Sequence, residues 1–209
     1  MAESARIRIL SVDDHPILRE GIAAIINSQS DMLIVEKAAS ANEAIRAYRA
    51  MRPDVTLMDL RLPDLSGIEV LIAIRAEFPE ARIIMLTTFE GDVEVQRAVQ
   101  AGAHGYLLKS MPPKEMLDTI RKVHAGKKCF SPQIAAGLVE HLGSEILSKR
   151  EVDVLRHVAE GNRNRDIGQR LFISEETVKV HVKHIMDKLG AHDRTQAVAI
   201  AARRGFICL

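Results

Sequence analysis

The first 125 residues alternate short apolar runs with longer amphipathic stretches. A short apolar run predicts a β-strand, and a stretch with an apolar residue every three or four positions predicts a helix. The predicted strands are Ile7–Val12, Leu33–Lys37, Val55–Met58, Ile83–Leu86 and Gly105–Leu108, and the predicted helices cover 17–26, 41–50, 67–77, 92–101 and 113–125. Alternating strands and helices form parallel sheets, and strands that are almost wholly apolar have helices over both faces. The pattern therefore predicts an α/β fold with a doubly wound, five-stranded parallel sheet.

The strand pattern ends near residue 128, and the rest of the chain has only helical periodicity. A helix predicted over Pro132–Leu142 makes 129–146 a linker with a helix of its own. Four short helices are predicted beyond it, and three of them have a side chain suited to cap the helix start: Ser148, Ser174 and Asp193. We therefore expect two domains, an α/β domain over 1–128 and a smaller all-α domain over 147–209.

Composition narrows the classes of partner. The 209 residues are 47% hydrophobic and 27% charged, which suits one or two small domains. Residues 1–143 carry 17 basic and 19 acidic side chains and residues 144–209 carry 12 and 9, so a polyanion is the expected partner of the second domain. No apolar run is long enough to cross a membrane, and the start lacks the apolar core of a signal peptide, which predicts a cytoplasmic protein with no membrane partner. Cys129 and Cys208 fit no metal or redox spacing and are expected to be reduced thiols.

Polar side chains stand where four of the predicted strands end. Asp13 and Asp14 follow the first strand and Asp59 the third, whereas Thr87 ends the fourth and Lys109 the fifth. Because the carboxyl ends of parallel strands meet at one edge, the three carboxylates would repel one another unless a cation intervenes. Mg²⁺ prefers such oxygen ligands. The pattern predicts a site that accepts a phosphoryl group, with Asp59 as nucleophile and Lys109 beside the phosphoryl oxygens.

Each of these residues has an ordinary explanation when taken alone. An aspartate after a strand is most often a turn former or a helix cap, and a lysine at a strand end is most often solvated. Thr87 alone could be a strand residue or a cap for the following helix. The shared position of five polar residues at four ends of one sheet favours a common site.

Four segments resemble the receiver domain of bacterial two-component response regulators, which has a flavodoxin-like fold: VDDHP, LMDLRLPDLSG, MLTT and GAHGYLLK. The similarity covers residues 5–126. It implies that a histidine kinase phosphorylates Asp59, and that Asp14 and Asp59 bind Mg²⁺ with the backbone carbonyl of Arg61. Asp13 would assist through water.

The same resemblance implies a switch. Lys109 would contact the phosphoryl oxygens, and Thr87 with Tyr106 would form the pair of side chains that responds to phosphorylation. The ordinary alternative for Tyr106 is a half-buried aromatic ring with its hydroxyl at the surface.

The predicted helix Glu175–Leu189 has an apolar face that is expected to pack inside the second domain: Val178, Val182, Ile185 and Leu189. Lys179, Val180 and Lys183 lie off this stripe, and no acid is near them on the helix before Asp187. Lysine can bond guanine and valine can touch a thymine methyl, so this face suits the major groove of double-stranded DNA. A short helix, a tight turn and this longer helix match helix-turn-helix geometry.

Residues 147–207 resemble the LuxR-type helix-turn-helix of NarL/FixJ-type regulators in three segments: SKREVDVLRHVAEG, ISEETVKVHVKHIMDKLG and DRTQAVAIA. The resemblance implies that Lys179, Val180 and Lys183 read bases and that the last helix provides most of the dimer contact. It also implies phosphate contacts by flanking residues such as Ser174, Thr177 and Lys188. Two positions depart from the family: Lys149 stands where Pro is frequent, and Gly168 where Ala is usual.

Two histidines on this helix invite a metal interpretation. His181 and His184 are three residues apart, but no third ligand is evident, so the metal interpretation is disfavoured. Contact of His181 with a DNA phosphate, or solvation, is preferred.

The sequence therefore favours a two-component transcription factor, not an enzyme, whose homodimerisation and DNA binding depend on phosphorylation of Asp59. A regulator of the same shape that ignores phosphorylation is the nearer alternative, and it leaves the acidic cluster without a reason. A Mg²⁺-dependent phosphohydrolase with an aspartyl nucleophile is the farther one. It would need a second domain to close a substrate pocket, and it leaves the basic helical domain unexplained.

Overall fold

The computed structural model describes residues 6–88, 92–130 and 147–207. The chain divides into two compact units. The elements of the first unit, in chain order, are β1 (Ile7–Val12), α1 (Pro16–Asn27), β2 (Met32–Ala38), α2 (Ala41–Met51), β3 (Val55–Asp59), α3 (Gly67–Glu77), β4 (Ile83–Thr87), α4 (Asp92–Gln100), β5 (Gly105–Leu108), α5 (Pro113–His124) and β6 (Cys129–Phe130).

The strands of the first unit form one parallel sheet in the order β2-β1-β3-β4-β5-β6. The chain moves outward from β1 to β2 and then returns past β1 to β3, so the strand order reverses beside β1. Every residue of β3 and β4 is buried, as expected for strands covered by helices on both faces. The predicted α/β class and all five predicted strands are confirmed.

The sheet has a sixth strand that the sequence did not predict. Cys129 and Phe130 pair in parallel with Gly105 and Tyr106 of β5. Two residues carry no detectable periodicity, so no hydrophobic pattern could reveal this strand. These residues were predicted to begin the linker, and the structure places them in the sheet.

The second unit contains four described helices: α6 (Lys149–Ala159), α7 (Asn164–Leu171), α8 (Glu175–Leu189) and α9 (Arg194–Arg204). Ser148 accepts a hydrogen bond from the Glu151 N–H, and the Glu151 carboxylate accepts one from the Ser148 N–H, so the predicted capping box is formed. The helix α7 ends at Leu171 because Phe172 adopts a left-handed conformation with φ of 56°. The buried residues of the four helices include Val154, Leu155, Ile167, Val178, Ile185 and Ala201.

Three further expectations concern the linker helix, the cysteines and membrane spans. The helix predicted over Pro132–Leu142 lies outside the described residues, as does Cys208, while Cys129 is a free thiol. Among the described helices, none has both the length and the apolar character needed to cross a membrane.

Candidate functional site

The sheet brings the predicted acidic residues together at its carboxyl edge. Asp13 and Asp14 follow β1, and Asp59 is the last residue of the adjacent strand β3. Asp13 and Asp59 are buried, with 0% and 2% of their surface exposed, whereas Asp14 is half-buried. Parallel pairing of neighbouring strands therefore concentrates three carboxylates at the position where open α/β sheets bind ligands.

Lys109 connects two of these carboxylates. Its Nζ atom lies 2.7 Å from Oδ2 of Asp13 and 2.8 Å from Oδ2 of Asp59. The lysine follows β5, and its backbone N–H donates a 2.6 Å hydrogen bond to the carbonyl of Thr87 at the end of β4. The neighbouring strand thus fixes the direction from which the ammonium reaches the acidic edge.

The pKa values of Asp59 and Lys109 are both raised, for different physical reasons. Burial raises the pKa of Asp59 and the nearby Asp13 charge adds to the rise, which exceeds the opposing effect of Lys109. Burial alone would lower the pKa of Lys109, but hydrogen bonds to Asp13 and Asp59 outweigh it, so the pKa lies above its usual value. The lysine is therefore a permanent cation at neutral pH.

The donor set fits a hard divalent cation. Ligand atoms of Asp13, Asp14, His15 and Asp59 lie within 4.8 Å of one another. Three carboxylates against the one ammonium of Lys109 leave an excess of negative charge in a largely buried place, which a further cation would offset. Carboxylate oxygens of this kind suit Mg²⁺.

Sequence reasoning missed two side chains of this edge. His15 Nδ1 lies 2.7 Å from Oδ1 of Asp14 and 3.3 Å from Oδ1 of Asp13. Arg19, one turn along α1, donates a 2.5 Å hydrogen bond from Nη1 to the backbone carbonyl of Asp13. The segment VDDHP contains His15, but a residue that directly precedes a helix gives no sequence signal of contact with the acidic edge. The same is true of Arg19 in the first turns of α1.

A third residue that sequence reasoning missed is Gly67, which lies against the backbone of Asp59, the candidate phosphoacceptor. A Cβ atom at position 67 would stand 2.0 Å from the backbone carbonyl oxygen of Asp59. The Gly67 N–H donates to the carbonyl of Leu60 at 2.8 Å, and Arg61 forms an isolated bridge with Ser66. The loop after β3 can fold back on Asp59 this closely only because residue 67 has no side chain.

The predicted switch residues are both buried. Thr87 ends β4 with 3% exposure, and Tyr106 on the adjacent strand β5 is fully buried. The alternative in which the hydroxyl of Tyr106 lies at the surface is therefore wrong. Thr87 and Tyr106 therefore both lie inside the first unit, on neighbouring strands.

The helix α8 presents the predicted exposed face. Val180 is 48% exposed, and Lys179 and Lys183 are exposed on either side of it. Val178, Ile185 and Leu189 are buried and Val182 packs against the same core. Four predicted flanking residues lie at the start, middle and end of the helix: Ser174, Thr177, His181 and Lys188.

Two lysines of α8 have acidic partners that the sequence reading overlooked. Lys179 Nζ lies 3.0 Å from Oε2 of Glu176 and 4.0 Å from Oε1 of Glu175, so the expectation of no nearby acid was wrong. The hydrogen bond to Glu176 raises the pKa of Lys179. Lys188 lies 3.0 Å from Glu151 of α6. Glu175 and Lys179 are four residues apart, so they lie one turn apart on the same side of the helix and can interact.

The structure gives a reason for one departure from the family pattern. A Cβ at Gly168 would stand 2.7 Å from the backbone carbonyl oxygen of Ile173, in the turn between α7 and α8. The Ile173 N–H also donates to the Gly168 carbonyl at 2.9 Å. The close approach is to the turn itself, and the glycine lets the turn tighten against α7.

An α/β unit with buried acids at its carboxyl edge, joined in sequence to a helix-turn-helix unit, defines the class of two-module DNA-binding regulators. Residues 9–121, more than half of the chain, match the family model described as response regulator receiver domain, and residues 145–201 match bacterial regulatory proteins of the luxR family. The chain belongs to the response regulators that carry a LuxR-type DNA-binding domain, and it is a transcription factor.

Relatives over the full length support this membership. The chain is 40% identical to the transcriptional regulatory protein YxjL of Bacillus subtilis (strain 168), over 97% of this chain and 98% of that protein. It is 37% identical to the response regulator protein VraR of Staphylococcus aureus (strain Mu3), over 96% and 99% of the two chains. Among solved structures, the response regulator ChrA of a heme-sensing two-component system has a TM-score of 0.58 at 33% identity and covers 97% of this chain and 100% of its own.

Proposed function

We propose that phosphorylation of Asp59 by a histidine kinase controls dimerisation and DNA binding by this transcription factor. The observation that carries the proposal is the bridge of Lys109, whose ammonium contacts Asp13 and Asp59 at 2.7 and 2.8 Å inside a cluster that still has excess negative charge. A carboxylate that is buried, held from the side by a cation and open to a divalent ion is equipped to receive a phosphoryl group.

The transfer is a nucleophilic displacement at phosphorus. A carboxylate oxygen of Asp59 attacks the phosphorus of a phosphohistidine, the P–N bond breaks, and its electron pair returns to the imidazole nitrogen, which then takes up a proton. The product is an acyl phosphate on Asp59. Lys109 is already within reach of this carboxylate, so its ammonium can exchange a carboxylate oxygen for a phosphoryl oxygen without a large movement.

The acidic edge would hold Mg²⁺ through Asp13, Asp14, Asp59 and the backbone carbonyl of Arg61. The Arg61 N–H donates to Oδ1 of Asp59 at 3.3 Å, which ties this residue to the phosphoacceptor. When bound, the ion supplies positive charge between the carboxylates and the phosphoryl oxygens. The side chain of Lys109 supplies the second positive charge.

Thr87 and Tyr106 would convert phosphorylation into a change of shape. Thr87 moves toward the phosphoryl group, and Tyr106 follows into the space that is vacated. Shifting the population from mostly inactive to mostly active requires a preference of about 5 kcal/mol for one state. A few charge-assisted hydrogen bonds supply this amount.

The second unit would read DNA with α8 in the major groove. Lys179, Val180 and Lys183 face the base edges, and the phosphate contacts come from Ser174, Thr177 and His181. A homodimer, formed largely through α9 in this unit, places two copies of α8 on inverted half-sites about one helical turn apart. Exposure of an apolar Val180 between two cations supports this assignment.

Incubation of the protein with acetyl phosphate and Mg²⁺ tests the first unit. Retention of one phosphoryl group per chain is the expected result. Absence of labelling would favour a regulator that ignores phosphorylation, and release of many phosphates per chain would favour a phosphohydrolase. Both outcomes contradict the proposal.

Selection of bound sequences from random double-stranded DNA, with and without the phosphodonor, tests the second unit. The expected result is an enriched site with dyad symmetry whose recovery increases on phosphorylation. Enrichment that is identical in the two arms would contradict the control by Asp59, while absence of any enriched sequence would contradict base reading by α8.

A further inference from the structure

The ammonium group of Lys188 points into the second unit and pairs with Glu151 of α6. Its Nζ lies 3.0 Å from Oε2 of Glu151, and the two side chains are only 24% and 6% exposed. Lys183, five residues earlier on α8, is exposed, and no carboxylate of the described residues lies within ion-pair distance of it. The family resemblance gave Lys188 a phosphate contact, but its ammonium is engaged inside the unit.

Glu151 depends on this partner. The same Oε2 atom accepts a 2.7 Å hydrogen bond from the Ser148 N–H, which completes the cap of α6. Burial alone would raise the pKa of Glu151, but the Ser148 hydrogen bonds and the ion pair with Lys188 outweigh it and lower the pKa. The carboxylate is therefore charged at neutral pH, and removal of Lys188 would leave a buried charge with one partner fewer.

The neighbouring residue on α6 contacts the chain shortly before α8 begins. Arg150 donates a 2.6 Å hydrogen bond from Nη2 to the carbonyl of Leu171, the last residue of α7, directly before the turn that leads into α8. The first turn of α6 thus contacts the chain just ahead of α8 through Arg150 and the last turn of α8 through Glu151. The first contact holds the end of α7, before the turn into α8, and the second holds the last turn of α8, so together they constrain how α8 lies against α6.

We propose that Lys188 is a positioning residue and not a DNA contact: its ion pair with Glu151 fixes the C-terminal end of α8 against the first turn of α6 and so sets the angle at which Val180 and Lys183 enter the groove. The inference rests on the proposed function, because it concerns the helix assigned to DNA reading. It assigns specificity to a residue that touches neither base nor phosphate.

The test compares the full-length Lys188→Met, Glu151→Gln and double variants on the selected DNA site and on a scrambled duplex. Affinities are measured across a range of salt concentrations and at a temperature where circular dichroism shows each variant folded. Lys188→Met is expected to lose about tenfold in affinity for the selected site, with little change on the scrambled duplex and an unchanged salt slope. Glu151→Gln should weaken selected-site binding as well, and the double variant should lose less than the two single losses combined.

A phosphate contact predicts the opposite pattern. Lys188→Met would then weaken both duplexes alike and reduce the salt slope by about one, and Glu151→Gln would leave binding unchanged or strengthen it by freeing the lysine. Either pattern would overturn the proposal, and so would a Lys188→Met protein that binds both duplexes as the parent does. If Lys188→Met fails to fold, Glu151→Gln alone still separates the two models, because only the positioning model predicts weaker binding to the selected site.

Lys183→Met is the matched control for the helix itself. It should relax sequence preference whichever role Lys188 has. Unchanged preference in Lys183→Met would contradict DNA reading by α8 and leave the Lys188 result to be judged separately, so failure of the proposed function and failure of this inference are distinguishable.

Discussion

The acidic edge of the sheet and the exposed face of α8 place charged side chains in opposite environments. Inside the first unit, the ammonium of Lys109 lies at hydrogen-bond distance from both Asp13 and Asp59. Lys179 and Lys183 extend into solvent from α8. A site for phosphoryl transfer needs charges that are fixed before the reaction, whereas a DNA-reading surface needs side chains that can exchange water for a phosphate or a base.

This contrast predicts different sensitivities to substitution. Removal of one partner from a buried pair leaves an uncompensated charge and costs about 3–5 kcal/mol, whereas exposed pairs contribute about 0–1 kcal/mol. Removal of Lys109, the cation shared by Asp13 and Asp59, should therefore change both stability and chemistry. Substitutions on the exposed face of α8 should change DNA binding and leave stability almost unaltered.

The largest effect is expected for Asp59→Asn. The amide has no carboxylate oxygen to attack phosphorus, so labelling by a phosphodonor should be abolished. Asp14→Ala, which removes only a half-buried member of the cluster, should weaken metal binding and labelling together without abolishing either. Labelling is measured as radiolabel incorporation into the two variants under the same conditions. Full labelling of Asp59→Asn would contradict the assignment of Asp59 as the phosphoacceptor.

Gly67→Ala should have the next largest effect. Its Cβ would stand 2.0 Å from the carbonyl oxygen of Asp59, so the backbone of the phosphoacceptor must shift. Overpacking of this kind costs about 1–3 kcal/mol, and the displaced carboxylate should be labelled more slowly. Urea unfolding and the initial rate of labelling are the two measurements.

Gly21→Ala is the control for the glycine substitution. Gly21 lies within α1, and a Cβ there meets no atom within 4 Å. Alanine should therefore stabilise the helix by about 1 kcal/mol. Equal loss of labelling in both variants would show that the close approach at Gly67 has no special role.

Much of the fold was predictable because local signals and the sheet agree. The strand β4 is apolar until its last residue, β3 is apolar before Asp59 except for Thr56, and Ser148, Ser174 and Asp193 each cap the helix that the sequence assigned to them. The strand β6 was not predictable, because pairing of two residues depends on the free edge of β5 and not on any pattern in Cys129 and Phe130.

The site was predictable in part for a related reason. Sheet topology alone collects Asp13, Asp59 and Lys109 at one edge, so their proximity follows once the strands are recognised. Partners that depend on the path of a loop or on helix packing have no such signal. The approach of Gly67 to Asp59 and the pairing of Lys188 with Glu151 both belong to this second kind.

Lys183→Ala tests the exposed face of α8. It is expected to cost about 1–3 kcal/mol on the selected site and to relax preference at one base pair, with no change in the urea midpoint. Lys179→Ala should have a smaller effect, because Lys179 already has Glu176 as a partner at 3.0 Å and must exchange it for DNA. Footprinting of both variants on a set of single-base site variants measures the difference, and equal relaxation in both would contradict the role given to Glu176.

The smallest effect is a dependence of stability on pH, and it distinguishes the buried acid of the second unit from an exposed one. The pKa of Glu151 is lowered from 4.5 in the folded protein, so its charged form stabilises the fold above that value, and this stabilisation is lost as the pH falls through the folded-state pKa. Glu151→Gln should therefore be less stable than the parent by about 1–2 kcal/mol near neutral pH, and the two proteins should converge at acid pH. The exposed Glu175→Gln is the control and should differ from the parent less than Glu151→Gln does near neutral pH. Urea midpoints measured by circular dichroism from neutral to acid pH show whether the stabilities of the two proteins converge. A difference in midpoint that stays constant with pH would mean that the charge of Glu151 does not stabilise the unit.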